Sequence, residues 1–167
     1  MPSAESSDLI IALLMVQFIA FPSAIGYSWF AKKIGTKNAV FIAIGGYSLA
    51  TFLGYWMSER LHFFALAALI GLFQGGIQAL SRSLYARLIP KNMEAEFFGF
   101  YNMLGKFAAV FGPVLMGSVT LFLSNIVDDE IRAARFGLLS IMILFILGAY
   151  VFSKVDIKQG EAMAKNL

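Results

Sequence analysis

A lysine inside an apolar run is the first residue of this chain that could do chemistry. Lys106 stands about nine residues into the run that opens at Phe97, or about 14 Å along a helix at 1.5 Å per residue. A cation that deep in hydrocarbon costs several kcal/mol or more, so it should face a cavity or a partner. There it could hold a carboxylate or respond to proton movement; a lysine can also snorkel or serve as a structural pair. Asn102 lies one turn earlier on the same face and could share the lining. Gln74 and Gln78 have the same i, i+4 spacing, with Ser81 and Arg82 roughly continuing their face. Amides in such a place bind polar solute groups or bond to neighbouring helices. Gln17, in the middle of the first apolar run, is a similar candidate, and Tyr101 reads as packing or interfacial. Arg82, Arg87, Glu94 and Glu96 gather around one turn and could form an ion-pair latch; ordinary solvated charge is the alternative.

These residues need long apolar elements to position them. The chain is 59% hydrophobic and 14% charged, against about half and about a quarter in a soluble domain. Its mean hydropathy is +0.77. Five segments, 9–31, 39–57, 62–82, 97–122 and 136–152, are long enough to cross about 30 Å of hydrocarbon, which takes about 20 helical residues. The expected fold is therefore an all-α integral membrane domain with five transmembrane helices and a tail over 153–167 with no apolar period. Pro22 should kink the first span near Phe18. Gly71 with Gly75, and Gly112-Pro113 with Gly117, are small-residue patches suited to close helix packing.

Charge sets an orientation. Lys32, Lys33, Lys37, Arg82, Arg87, Lys91, Lys154, Lys158 and Lys165 fall on one side, and Arg60, Arg132 and Arg135 on the other. Nine against three places the tail in the cytoplasm and the N-terminus outside under the positive-inside rule. The same rule accounts for the net charge of +3 without nucleic acid. The first eight residues carry Glu5 and Asp8 and no basic residue, which argues against a cleaved signal peptide. An odd number of spans with an outside N-terminus makes Met1 look like an internal start, with at least one span upstream.

Signals for bond-making chemistry are lacking. The chain has no cysteine and one histidine, His62, so thiolate and multi-histidine metal sites are excluded and no cofactor is expected. Asp128, Asp129 and Glu130 read as solvated charge in a short loop. No phosphate-binding glycine loop, zinc helix motif or nucleophile elbow is present.

The loop from Ser28 to Lys37 resembles the signature loop of the major facilitator superfamily, Gly-x-x-Ala-Asp-Arg-x-Gly-Arg-Arg/Lys. Ala31, Lys33, Gly35 and Lys37 match it, while Ser28, Lys32 and Thr36 replace a glycine, the aspartate and an arginine. The run Gly75-Gly76-Ile77-Gln78, then Ser81-Arg82-Ser83, Arg87, Pro90-Lys91, Glu94, Glu96, Gly99 and Tyr101, is more specific. With Gly105-Lys106-Phe107 and Gly112-Pro113, it resembles the vacuole-effluxer-like branch of that superfamily, related to an autophagy-linked amino-acid exporter. The resemblance spans essentially the whole chain. It implies a partial major-facilitator fold, the last five of twelve helices, with seven helices supplied in cis or in trans. It also implies a secondary transporter that moves small polar solutes, amino acids among them, by alternating access. Lys106, Asn102, Gln74, Gln78 and Gln17 would then be substrate-binding, and Arg82, Arg87, Glu94, Glu96 and Lys33 a cytoplasmic gate. Its partners would be the bilayer, a small solute and the absent helices, and alone it should be unstable or oligomeric. The competing reading is a non-transporting component that packs against other transmembrane helices.

Overall fold

The computed structural model describes residues 6–127 and 129–165. Met1, Glu5 and Asp128, which bear on the start of the chain and on the acidic loop, lie outside the described residues. Six α-helices follow in order, and no strand occurs among the described residues: α1 (Ser6–Ile34), α2 (Thr36–Gly54), α3 (Arg60–Leu88), α4 (Glu94–Ser124), α5 (Glu130–Ser153) and α6 (Ile157–Lys165). Four of them, α1, α3, α4 and α5, are long and apolar enough to cross a membrane. Helix α2, with 19 residues, falls short of that standard because Thr36, Lys37 and Asn38 occupy its first turn.

The breaks follow from local chemistry. Gly35 adopts φ 89°, a left-handed conformation that costs glycine no Cβ clash, so α1 stops and α2 starts within one residue. Its amide donates back to the Ala31 carbonyl at 2.9 Å. Pro90 pushes Ile89 into extended backbone and ends α3. Asp129, read from the sequence as solvated charge, is the N-cap of α5. Its carboxylate accepts from the amides of Ile131 at 3.0 Å and Arg132 at 3.2 Å. Pro22 and Pro113 both lie within continuous helix.

Small residues fill the interior and large apolar ones face outward. Ala31, Ala39, Val40 and Leu80 form the buried cluster, whereas Phe18 is 77% and Phe122 68% exposed. That inversion is how helices pack when lipid surrounds them. Helix α1 lies mainly against α3, α2 joins α3 to α5, and α4 leans chiefly on α5. Gly71 and Gly75 make the α1–α3 approach possible. A Cβ at Gly71 would stand 2.8 Å from the Val16 carbonyl oxygen, and one at Gly75 would collide with the Ala20 carbonyl. Gly112 and Gly117, by contrast, have open space around them, so this second small-residue patch packs against nothing among the described residues.

Successive helices run up and down, and their ends form two polar layers. In one, Arg60 pairs with the buried Asp8 and the Arg135 guanidinium donates to the Met57 carbonyl at 3.2 Å. In the other, Lys37 reaches the end of α5 and Arg87 reaches both Thr36 and α6. The tail was expected to lack structure, and the structure corrects this. Residues 157–165 are helical and dock on α3, where Gly160 leaves room for Leu88 and Glu161 meets Arg87 at 3.2 Å.

Candidate functional site

Helix α4 presents the strongest polar candidates on its least protected surface. None of its residues is buried. Asn102 and Lys106 are both exposed, among Met103, Phe107 and Val110, which are also exposed. Lys106 is the thirteenth residue of a 31-residue helix, about 18 Å from its start at 1.5 Å per residue. Among the described residues its ammonium has no hydrogen bond, ion pair or aromatic partner. A cation at that depth needs water, an anion or another helix.

The glutamines sit elsewhere. Gln74 borders a pocket of about 610 Å³ whose other walls are mostly apolar residues of α1, α2, α3 and α5, including Val16, Ala50 and Leu138. Gln78 and Gln17 are exposed. No hydrogen bond joins these amides to Asn102 or Lys106 among the described residues. What links α3 to α4 is a clasp lower on the Gln74 face: Ser81 and Tyr85 follow Gln74 and Gln78 at helical spacing. Tyr85 donates from its hydroxyl to the Phe97 carbonyl at 2.9 Å, and Tyr101 donates to Ser81 Oγ at 3.2 Å. The rings of Tyr85 and Tyr101 lie 4.8 Å apart, with Phe98 5.5 Å from Tyr85. Tyr101 therefore packs, as its position suggested.

The gate candidates divide. Arg87 does not meet Glu94 or Glu96; it is held by Thr36 Oγ1 at 2.9 Å and by Glu161 at 3.2 Å. Glu94 and Glu96 are exposed in the first turn of α4, where a helix N-terminus favours acids. Arg82 is exposed and unpaired among the described residues, and Lys33 lies over the Trp29 ring, 3.7 Å from its centroid. The sequence reading missed Lys37 as a functional group of the fold: its ammonium donates to the carbonyls of Ser153 at 2.8 Å and Val155 at 2.7 Å. Its place at the end of the signature-like loop was the one available sign. No group of three His, Cys, Asp or Glu side chains suited to a metal occurs among the described residues.

The Lys106 ammonium and the Asn102, Gln78 and Gln17 amides are thus exposed on three separate helices, α4, α3 and α1. Comparisons with known proteins agree with a membrane role. An uncharacterized MFS-type transporter, YxiO of Bacillus subtilis, is 39% identical over 150 residues, covering 90% of this chain and 33% of that protein. Autophagy-related protein 22 of Vanderwaltozyma polyspora is 28% identical over 159 residues, 95% of this chain and 25% of its own length. The same protein of Saccharomyces cerevisiae is 28% identical over 129 residues, 77% of this chain and 23% of its own. The chain thus spans about a quarter to a third of the relatives it matches. No solved structure matches it. The apolar helices and these relatives together identify an integral membrane protein. The family model for vacuole effluxers like Atg22 matches residues 3–165, nearly the whole chain, and the chain belongs to that family.

Proposed function

We propose that this chain forms the last five of twelve spans of a major-facilitator-type secondary transporter that moves small polar solutes, amino acids among them, outward by alternating access. Two helical halves would rock about a site near the midplane of the bilayer, and this chain would line one side of it. The observation that carries the reading is Lys106, unpartnered at the middle of a long apolar helix that buries none of its residues. With Asn102 one turn away, it would face the helices that the rest of the transporter contributes and offer a cation to a carboxylate. Gln74 and Gln78 would extend the wall on α3. In this reading α2 is also a span. Its polar first turn is eased by Lys37, whose ammonium donates to the carbonyls at the α5 terminus. In the same reading the N-terminus lies outside and α6 in the cytoplasm, the orientation that nine basic residues against three favour.

The test is counterflow. Liposomes containing the full transporter are loaded in turn with unlabelled amino acids and other small polar solutes, and entry of the labelled solute is followed. Solute-dependent accumulation for a member of the panel is expected. Its absence across the panel, with the protein correctly inserted, overturns the proposal.

A further inference from the structure

At the α5–α6 end of the bundle, helix termini and loops border an open pocket of about 960 Å³ that the transport reading leaves unused. Five cations line it, Lys32, Lys37, Arg87, Lys154 and Lys158, against two acids, Asp156 and Glu161. Both acids are engaged: Glu161 with Arg87 at 3.2 Å, and Asp156 as acceptor from the Gln159 amide at 3.1 Å. Lys37 is spent on the α5 carbonyls, and Lys154 lies 5.3 Å from the Tyr150 ring centroid. Lys32 and Lys158 have no hydrogen-bonding or ionic partner among the described residues. Like charges crowded into one concavity repel each other, and an anion that enters removes that cost. The N-terminal end of α2 opens into the same space with no side-chain cap, which adds partial positive charge.

We infer that this pocket binds a phosphate-bearing anion, and that its source is the headgroup of an acidic phospholipid in the adjoining leaflet. The position selects the source. The pocket sits where α1, α3 and α5 end, the depth at which headgroups meet the ends of membrane-spanning helices. Its half-buried apolar lining residues Val155 and Ile157 suit the glycerol and upper acyl carbons. Basic pockets between helix ends are a known way to hold such headgroups. The inference rests on the helices crossing a bilayer, and it holds whichever leaflet receives this end and whether or not the protein transports.

Thermal unfolding of the purified full-length protein in detergent tests it, with added phosphatidylglycerol, phosphatidylcholine or inorganic phosphate. Phosphatidylglycerol should raise Tm, and the other two should not. Replacing Lys32→Gln with Lys158→Gln removes two charge-assisted bonds, each worth about tenfold in affinity, and should abolish the selective rise. Lys91→Gln with Lys165→Gln changes net charge equally outside the pocket and should keep it. Equal loss in both double variants, or equal stabilisation by both lipids, overturns the site. A rise with inorganic phosphate equal to that with phosphatidylglycerol overturns the lipid as its source. If the pocket double variant does not survive purification, Lys158→Gln alone must weaken selectivity about tenfold, and unchanged selectivity overturns the inference.

Discussion

Lys37 caps the helix that ends at Ser153: its Nζ lies 2.8 Å from the Ser153 carbonyl oxygen and 2.7 Å from that of Val155. A helix C-terminus leaves several carbonyls without intrahelical donors and carries partial negative charge. One lysine from the first turn of α2 answers both needs across 116 residues of sequence. Bonds from a charged donor contribute about 1.5–3 kcal/mol each, and partial exposure reduces that. Lys37→Met should therefore cost about 1–2 kcal/mol and lower Tm in detergent by a few °C, while Lys37→Arg keeps part of the contact. An unchanged Tm for Lys37→Met would remove the cap from the stabilising interactions.

The α1–α3 contact should be far less tolerant than the rest of the bundle. At Gly75 a side chain would drive into the Ala20 backbone, which has no flexible end to move aside. Gly75→Val should separate the two helices at a cost of about 1–3 kcal/mol or more. Gly148, on α5, has open space around it, and Gly148→Ala should be neutral or stabilise by up to about 1 kcal/mol. Size-exclusion profiles after graded heating would rank the two. A Gly75→Val protein as stable as the Gly148→Ala one would refute the close approach.

How far these features were readable depended on sequence distance. The five apolar runs fall on α1–α5, four of which are long and apolar enough to cross a membrane, because long apolar runs leave a pattern in composition alone. The spacing of Gly71 and Gly75 announced a close approach for the same reason, although nothing in it named Val16 and Ala20 as the other side. Gly112 and Gly117 show the limit: a similar small-residue patch has open space where a side chain would stand. Helix α6 is not legible in the sequence because nine residues are too few to hold a helix without tertiary contacts. They are helical here where Leu88 and Arg87 meet them. The latch was sought between Arg87 and the nearby Glu94 and Glu96, yet Arg87 took Glu161. Which acid a surface arginine selects is a tertiary outcome that local spacing does not contain. Lys106 and Asn102 stand out in the sequence because depth in an apolar run is itself a sequence quantity.

These 167 residues hold no cysteine, so thiols introduced among them report sidedness once any cysteine elsewhere in the full-length protein is replaced. Lys33→Cys, Ser58→Cys and Asn92→Cys place single exposed thiols before α2, after α2 and after α3. In intact cells a membrane-impermeant maleimide should label only Ser58→Cys, and the other two should label after permeabilisation. Labelling of Lys33→Cys together with Ser58→Cys would show that α2 does not cross and reduce the count to four spans. The reverse pattern would invert the orientation.

Lys106 gives the sharpest test of the transport reading, because a structural lysine and a solute-binding lysine respond differently to the same changes. If its charge binds solute, Lys106→Ala should abolish counterflow in the full-length protein while insertion and Tm stay within about 1 kcal/mol of the parent, since the side chain is exposed and no contact is lost. Lys106→Arg keeps the charge but changes its shape and reach, so binding should weaken without vanishing. Asn102→Ala, one turn away, should raise KM more than it lowers kcat, because an amide that bonds to the solute throughout the cycle supplies uniform binding. Had Lys106 instead held the fold through a helix outside this chain, Lys106→Ala would reduce insertion and Tm together with transport. Unchanged counterflow in Lys106→Ala would take the residue out of the solute pathway altogether.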